Sequence, residues 1–476
     1  MKKTVIAAGV VVALAGAVTS AAWFTGQKAE AQLQHVIELN NQIAQKQLTG
    51  TDLTLNVENM RFERGVFSSD TQYEVVLADK KQNREIARVP FTGKLFHGPL
   101  PLNQLQKFNF KPLMFSLQSD VAQVKVNAQI EGLQDLEVKG LASTTNVDYA
   151  TNGEVSATID QVLVHLKDSQ DQNITATLTD SKINGSFDKD ANAKAKSYFA
   201  SVQVEDDSSA HNKATFTNLD TEVDFAPIKG WDNLFNGKLA AQAESLVLSN
   251  AKQDDLIMTG LKGSFTNEQK GEFVDFTNDF SWNKIGRSLD KLADMQFHYN
   301  LKLAHLDGAA VNEWVGMMNN PSHEQLNERQ PLLLKTIQQK QPQVVFSADL
   351  ANAQGKDDLT IDFTFSANDL ERAVNKGKFL ALFEKFKANA NIDKQATQGL
   401  FADWHALFGD FDAENAKKMA ADSIANGVQQ GFLVDGEKTA TAKLELKEGK
   451  LFLNDSQEIP EDQVALAIFL MFMGMH

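Results

Sequence analysis

Nine histidines and 62 carboxylates are the residues of this chain that could do acid–base or metal chemistry, and their spacing decides whether they do. No two histidines have the spacing of a helical zinc motif, and no His-Glu-x-x-His occurs. His298 and His305 fall on one expected strand but an odd number of residues apart, which sends their side chains to opposite faces. Asp188, Asp190 and Asn192 open like a calcium loop. Ala193 then stands where that loop needs glycine, and Phe199 where its closing glutamate belongs, so the motif fails. There is no Gly-x-Ser-x-Gly elbow, no phosphate-cradling glycine loop ending in Gly-Lys, and no Gly-x-Gly-x-x-Gly. Nothing in the sequence calls for a cofactor. The carboxylates are spread over polar faces and turns, as a solvated surface requires. A glycosidase-like pair needs no fixed spacing in sequence, which keeps a hydrolase as a minor alternative to a non-enzymatic protein.

The composition narrows the field further. A formal net charge of −16 gives no electrostatic footprint for nucleic acid, whose phosphates demand a basic face. The same charge disfavours flat adsorption to an anionic membrane surface. The absence of cysteine removes disulfides, thiol catalysis and cysteine metal sites together. Phenylalanine is abundant, 31 residues against 4 tyrosines and 5 tryptophans, which gives aromatic bulk with little polar handle. An ordinary core explains such a content, and so does a ligand-facing surface.

The elements that must position any site begin with Thr4 to Phe24, an uncharged apolar run preceded by Lys2 and Lys3. At about 1.5 Å per residue this length crosses a hydrocarbon core of about 30 Å. The flanking lysines keep the N-terminus cytoplasmic and send the body to the other side. Ser20-Ala21-Ala22 admits a cleavable secretory signal instead, but the run is longer than an ordinary signal core and ends in Trp23-Phe24. Gln27 to Leu48 has the apolar spacing of an amphipathic stalk helix. From Thr51 the period becomes two, in runs such as Leu53-Leu55-Val57, Val155-Ala157-Ile159 and Phe297-Tyr299-Leu301-Leu303. Asn152-Gly153, Asn184-Gly185 and Asn236-Gly237 read as the turns between them. Near Gly308 the texture shifts to helices, Ala309–Met318 and His323–Gln339. Pro331 lies inside the second, which leaves it as one helix or two short ones. A hairpin follows, with Val344, Phe346, Ala348 and Leu350 on one arm and Leu359, Ile361, Phe363 and Phe365 on the other. Gln395–Leu407 and Glu414–Gln430 read as helices, and Ala442 to Leu453 as a second hairpin. The chain closes on the apolar run Val464–Met475, too short to span a bilayer by itself. It suits a docked terminal helix, a plug for an apolar groove, or a membrane contact.

Two short stretches stand apart. Arg64-Gly65-Val66-Phe67-Ser68-Ser69 occupies a strand-to-strand turn, and His97-Gly98-Pro99-Leu100-Pro101-Leu102 leads into a helical piece, Asn103 to Phe108. Glycine and proline explain both as structural devices. Together with Lys2-Lys3 and the Ala-Trp-Phe-Thr-Gly end of the apolar run, they resemble the YdgA/YihF-type family of Gram-negative bacteria. Ala416-Lys417-Lys418 and Lys447 to Asn454 are similar to that family's C-terminal hairpin. The resemblance implies an inner-membrane-anchored periplasmic protein, with dimerisation among its options. It supplies no catalytic residues, since the family's function is unknown.

These readings combine into a mainly β (α+β) fold, an elongated, curved antiparallel sheet with flanking helices behind one N-terminal transmembrane helix. The expected division is an anchor over 1–25, a stalk over 26–50, a β-rich meander over 51–307 and a mixed helix and hairpin domain over 308–476. The expected role is an envelope protein held in the bilayer by Thr4–Phe24. Its sheet would take lipid or another apolar ligand against Phe346, Ile361, Phe363 and Phe365. A homodimeric scaffold with its apolar face covered by its own helices is the second reading. The motif positions Arg64, Gly65, Phe67, His97, Gly98 and Pro99 are expected to be structural.

Overall fold

The structure, a computed structural model, describes residues 53–463 apart from 66, 80–83, 98, 131–132, 151, 168–171, 252, 288–291, 320–322, 369–372, 374–375, 409–411 and 462. The expected anchor (4–24), stalk (27–48) and apolar tail (464–475) lie outside the described residues. Among the described residues no helix is long and apolar enough to cross a membrane. The chain forms two compact units, one built from residues up to Ala226 with Ala243–Asp255, the other from Pro227–Gln242 and Leu256 onward. The change of texture at Gly308 therefore falls inside the second unit.

The first unit is an antiparallel meander of β1 (Leu53–Arg64), β2 (Ser68–Asp79), β3 (Arg84–His97), β4 (Phe115–Ile130), β5 (Leu133–Val147), β6 (Gly153–Lys167), β7 (Asn173–Phe187), β8 (Ala193–Asp206) and β9 (Lys213–Ile228). Each strand pairs with the next. A short helix, α1 (Leu102–Leu105), interrupts the β3–β4 connection; it is shorter than the expected Asn103–Phe108 because Phe108 adopts a left-handed φ of 56°. Leu95, Phe115, Leu117 and Val147 are buried together, with Phe62, Met114 and Phe187 packed around them.

A regularity that the sequence shows only as a loose strand-and-turn rhythm becomes explicit in the ladder. Gly140, Asp180 and Asn218 have φ of 63°, 48° and 50°, in the middle of β5, β7 and β9. At the Asp180 position the paired register jumps from Ile159↔Ser181 to Gln161↔Thr179. The buried residues of β6 change parity there, from Val155 to Val162, Val164 and Leu166. In an unbroken strand such a slip would turn the second apolar set to the opposite face. The left-handed residue absorbs the slip, and glycine, aspartate and asparagine are the types that tolerate it.

The turns obey a rule of their own. Asp188 Oδ1 accepts the backbone N–H groups of Asp190 (2.8 Å) and Asn192 (3.1 Å), and its Oδ2 accepts the Asn192 side-chain amide at 2.8 Å. Asp148 and Asn152 close the β5–β6 turn in the same way, as do Asp206 and Asn212 the β8–β9 turn. The would-be calcium loop at Asp188 is thus a turn clamp. The same geometry corrects two expected turns: Asn184-Gly185 lies inside β7, paired with Ser156-Val155, and Asn236-Gly237 lies inside β10 (Trp231–Asn250). A carboxylate that satisfies two turn N–H groups fixes the reversal more firmly than an Asn-Gly pair whose residues already have ladder partners.

After β10 come β11 (Gln253–Lys270), β12 (Phe273–Trp282), the short β13 (Lys284–Gly286) and β14 (Leu292–Ala293), and β15 (Gln296–Asp307). A helical pair, α2 (Gly308–Asn319) and α3 (His323–Gln339), precedes β16 (Gln343–Asn352), β17 (Gly355–Phe365) and β18 (Phe383–Asp393). A second pair, α4 (Lys394–Phe408) and α5 (Ala413–Gln429), precedes β19 (Val434–Asp435), β20 (Thr439–Lys447), β21 (Lys450–Leu453) and β22 (Gln457–Ile459). Antiparallel pairing runs through β11, β12, β15, β16, β17, β18 and β20 in that order. Aspartates cap the helices: Asp307 accepts from Ala310 N–H, Asp393 from Ala396 N–H and Asp412 from Asn415 N–H. α3 is one helix with Pro331 inside it, not two. Leu333 and Ile337 beyond the proline are buried with Ala310 and Val311, which holds the later turns in line with the earlier ones.

Candidate functional site

Residues directly opposite in an antiparallel pair share a face, so the register of the second unit sorts its side chains into two surfaces. One row reads Phe276, Leu303, Val344, Phe363 and Phe386 across β12, β15, β16, β17 and β18. The next reads Leu301, Phe346, Ile361, Ala388 and, on β20, Leu444. A third joins Phe280, Tyr299, Ala348 and Leu359, and a fourth Trp282, Phe297 and Leu350. This is a continuous apolar, aromatic-rich face, and it contains Phe346, Ile361, Phe363 and Phe365, the four residues expected from the sequence.

The rings touch in groups, the smallest being Phe265 stacked on Phe276 at 5.6 Å. Phe363 lies 5.2 Å from Phe365, 5.5 Å from Phe383 and 6.3 Å from Phe386, centroid to centroid. Trp282 stacks on Phe297 at 4.4 Å, and Tyr299 lies 5.9 Å from Phe280 and 6.4 Å from Phe346. Such contacts contribute about 0.5–1.5 kcal/mol each beyond simple burial. The Tyr299 hydroxyl donates to Asn278 Oδ1 at 2.5 Å, whereas the indole N–H of Trp282 is buried without a hydrogen-bond partner. The alternation in the sequence exposes all these residues as apolar alternates. It does not reveal that Phe383 and Phe386 join Phe363, because the β17–β18 register shifts between Thr364 and Phe365.

Helices cover the face at two places. Phe276 and Leu306 pack on Val311, Leu333 and Ile337 of α2 and α3. Leu350 packs with Ala396 and Leu400 of α4, together with Ile285 and Met295. Between these caps Phe280, Tyr299, Phe346, Ile361 and Phe363 are only half-buried, and Leu359 is exposed. A sheet face this apolar ordinarily disappears beneath a second layer.

The opposite face is polar and charge-paired. His298 Nε2 lies 2.9 Å from Asp279 Oδ2 and its Nδ1 3.3 Å from Asp349 Oδ1, with Asn300 Nδ2 donating to Asp279 at 3.2 Å. The Asp279 hydrogen bond, with help from Asp349, raises the His298 pKa against the opposing effect of burial. Burial also works against ionisation of Asp279, but the His298 and Asn300 bonds outweigh it and hold its carboxyl below the ordinary range. Glu445 accepts from Lys387, Lys443 and Lys447, which draws its pKa down to about 2. Asp357 goes the other way, raised by burial beside Thr397 at the start of α4. His305 has a left-handed φ of 60°, so the parity count from His298 stops before it; its ring stacks on Phe273 at 3.7 Å. Among the described residues no group of three or more histidine and carboxylate side chains could hold a metal ion.

The two motif stretches come together in the first unit. Gly65 N–H donates to Ser68 O at 2.9 Å, and a side chain on Gly65 would strike that same oxygen at 2.3 Å. Arg64 ends β1 opposite Ser69. The Phe67 carbonyl accepts from His97 N–H at 3.1 Å, and the Pro99 carbonyl from Leu113 N–H at 3.2 Å. Gly98 lies outside the described residues.

Comparison with known proteins matches residues 1–461 to the model of a family described as "Bacterial protein of unknown function (DUF945)". An uncharacterized protein of Haemophilus influenzae is 27% identical over 337 residues, 67% of this chain and 86% of that protein. Protein YdgA of Escherichia coli is 25% identical over 499 aligned positions, 98% of this chain and 97% of that protein. No solved structure matches.

Proposed function

The chain belongs to the DUF945 family of bacterial proteins of unknown function, and from that premise we propose that it is a non-enzymatic envelope protein whose second-unit sheet face binds an apolar ligand, an acyl chain above all. The observation that carries this reading is the half-buried aromatic face between the α2–α3 and α4 caps. An acyl chain laid along Phe280, Tyr299, Phe346 and Phe363 would leave water while the His298 and Lys385 face stayed solvated. The apolar run Thr4–Phe24 behind two lysines supports an inner-membrane anchor with the body in the periplasm, which would bring the face within reach of lipid.

The test is photo-cross-linking of the full chain in bilayers with a diazirine-bearing fatty acid, followed by peptide mass spectrometry. Cross-links on β12, β15, β16 and β17, competed by unlabelled fatty acid, are the expected result. Cross-links confined to residues 4–24 would overturn the proposal, as would face residues that cross-link only to a second copy of the chain.

A further inference from the structure

The loop end of the first unit, where the two motif stretches meet, takes no part in the function proposed above, yet it carries a cluster of exposed apolar side chains. Phe108 is 84% exposed, Phe67 70% and Phe110 65%, with Leu100 and Leu102 beside them. They share one end of the ladder: Phe67 bonds His97 through its carbonyl, and the loop leaves β3 at His97 and re-enters at Phe115, the register partner of His97. Single exposed apolar residues are common on protein surfaces; several converging at one tip mark a contact surface.

The loop is braced from below. Asn103 Nδ2 donates to Ser116 Oγ at 2.7 Å, Gln104 Nε2 to Asn146 Oδ1 at 3.0 Å, and Asn109 Nδ2 to Gln104 Oε1 at 2.9 Å. Pro101 is fully buried beneath them. On this platform Phe108 keeps a left-handed φ of 56°, a conformation unusual for a bulky residue and one that tends to persist where function requires it.

Charge identifies the occupant. From Val89 to Ser119 the sequence contains no aspartate or glutamate but has Lys94, Lys107 and Lys111, in a chain of net charge −16; Arg88, toward the other end of β3, is taken up by Glu74 and Glu85. Around this stretch Asp70 stands opposite Lys94 in the register, and Lys111 pairs with Glu154 at 2.9 Å. Aromatic and leucine tips rimmed by lysines suit the headgroup boundary of an anionic bilayer, with the rings among the upper acyl carbons and the ammonium groups level with the phosphates. We infer that the tip formed by Phe67, Phe108 and Phe110 docks on an anionic lipid surface. β1 has 12 residues. It therefore carries the chain about 40 Å from Leu53 to this tip.

The chain has no cysteine, so single labels are clean. The full chain bearing Phe108→Cys, or Ser209→Cys on the β8–β9 turn at the opposite end of the ladder as reference, is coupled to an environment-sensitive dye. Each is reconstituted in vesicles of phosphatidylglycerol and phosphatidylcholine, or of phosphatidylcholine alone, with spin-labelled lipid as quencher. The expected result is quenching several-fold stronger at position 108 than at 209 in anionic vesicles, reduced in neutral ones. Phe67→Glu with Phe110→Glu should abolish it while the far-ultraviolet circular dichroism stays unchanged. Equal water exposure of the two labels in both vesicles would overturn the inference. Shielding of position 108 that ignores lipid charge and grows with protein concentration would overturn it too, by making the tip a contact between copies of the chain.

Discussion

Phe363 on β17 stands directly across from Phe386 on β18, ring centroids 6.3 Å apart and planes only 21° from parallel. Neither ring is fully buried. This pair lies at the centre of the aromatic group that the proposed ligand would cover, so changes here separate packing from binding.

Phe363→Leu keeps an apolar surface and should retain acyl-chain cross-linking, whereas Phe363→Glu should lose most of it. Phe363→Ala should cost about 2 kcal/mol in a urea titration, less than the roughly 3–5 kcal/mol of a fully buried phenylalanine. Loss of cross-linking in Phe363→Leu as large as in Phe363→Glu would show that the site does not depend on apolar character.

Asp180 holds a left-handed backbone in the middle of β7. Asp180→Val should destabilise the protein by about 1–2 kcal/mol, while Asp180→Gly should be close to neutral. Equal urea midpoints for the two variants would mean that the strand relaxes its backbone there.

The Asp188 carboxyl is held below the ordinary range, first by the Asn192 side-chain bond and then by the turn N–H groups. A lowered value means that the stabilisation is present above the unfolded pKa, near 3.9, and fades as pH falls through the folded one. Asp188→Ala should accelerate amide exchange at Asn192 while leaving β4 unaffected. Unchanged exchange at Asn192 would remove the carboxylate from its role as turn clamp.

His298, between Asp279 and Asp349, has the opposite sign. Its pKa is raised by the Asp279 bond above all, so its contribution is complete below the unfolded value near 6.5 and is lost as pH rises through the folded value. Wild-type stability should therefore lose a component on the alkaline side that His298→Gln lacks. Parallel pH–stability curves for the two proteins would count against this ion-paired arrangement.

Much of the β fold was legible because alternation is a local property. The hairpin of Val344–Leu350 and Leu359–Phe365 can be read directly, and the structure pairs Phe346 with Ile361. The helices around Trp314 and Trp404 follow from apolar spacing in the same way. Asn184-Gly185 misleads because a turn propensity acts only where ladder partners are lacking, and Gly185 has two, Val155 and Ala195. Pro331 leaves one helix or two open in the sequence, and the structure has one because the burial of Leu333 and Ile337 outweighs one missing backbone bond.

The sequence by itself determined the class of fold, the apolar and polar faces of its strands, and the absence of cysteine chemistry and of recognised catalytic motifs. Those are properties of neighbouring residues and of composition. Tertiary structure alone decided that Phe363 meets Phe383 and Phe386, that Asp188 closes a turn, and that Phe67 and His97 share one end of a ladder. Each depends on register between strands, and register follows from bulges and left-handed residues whose effects reach across many residues of chain.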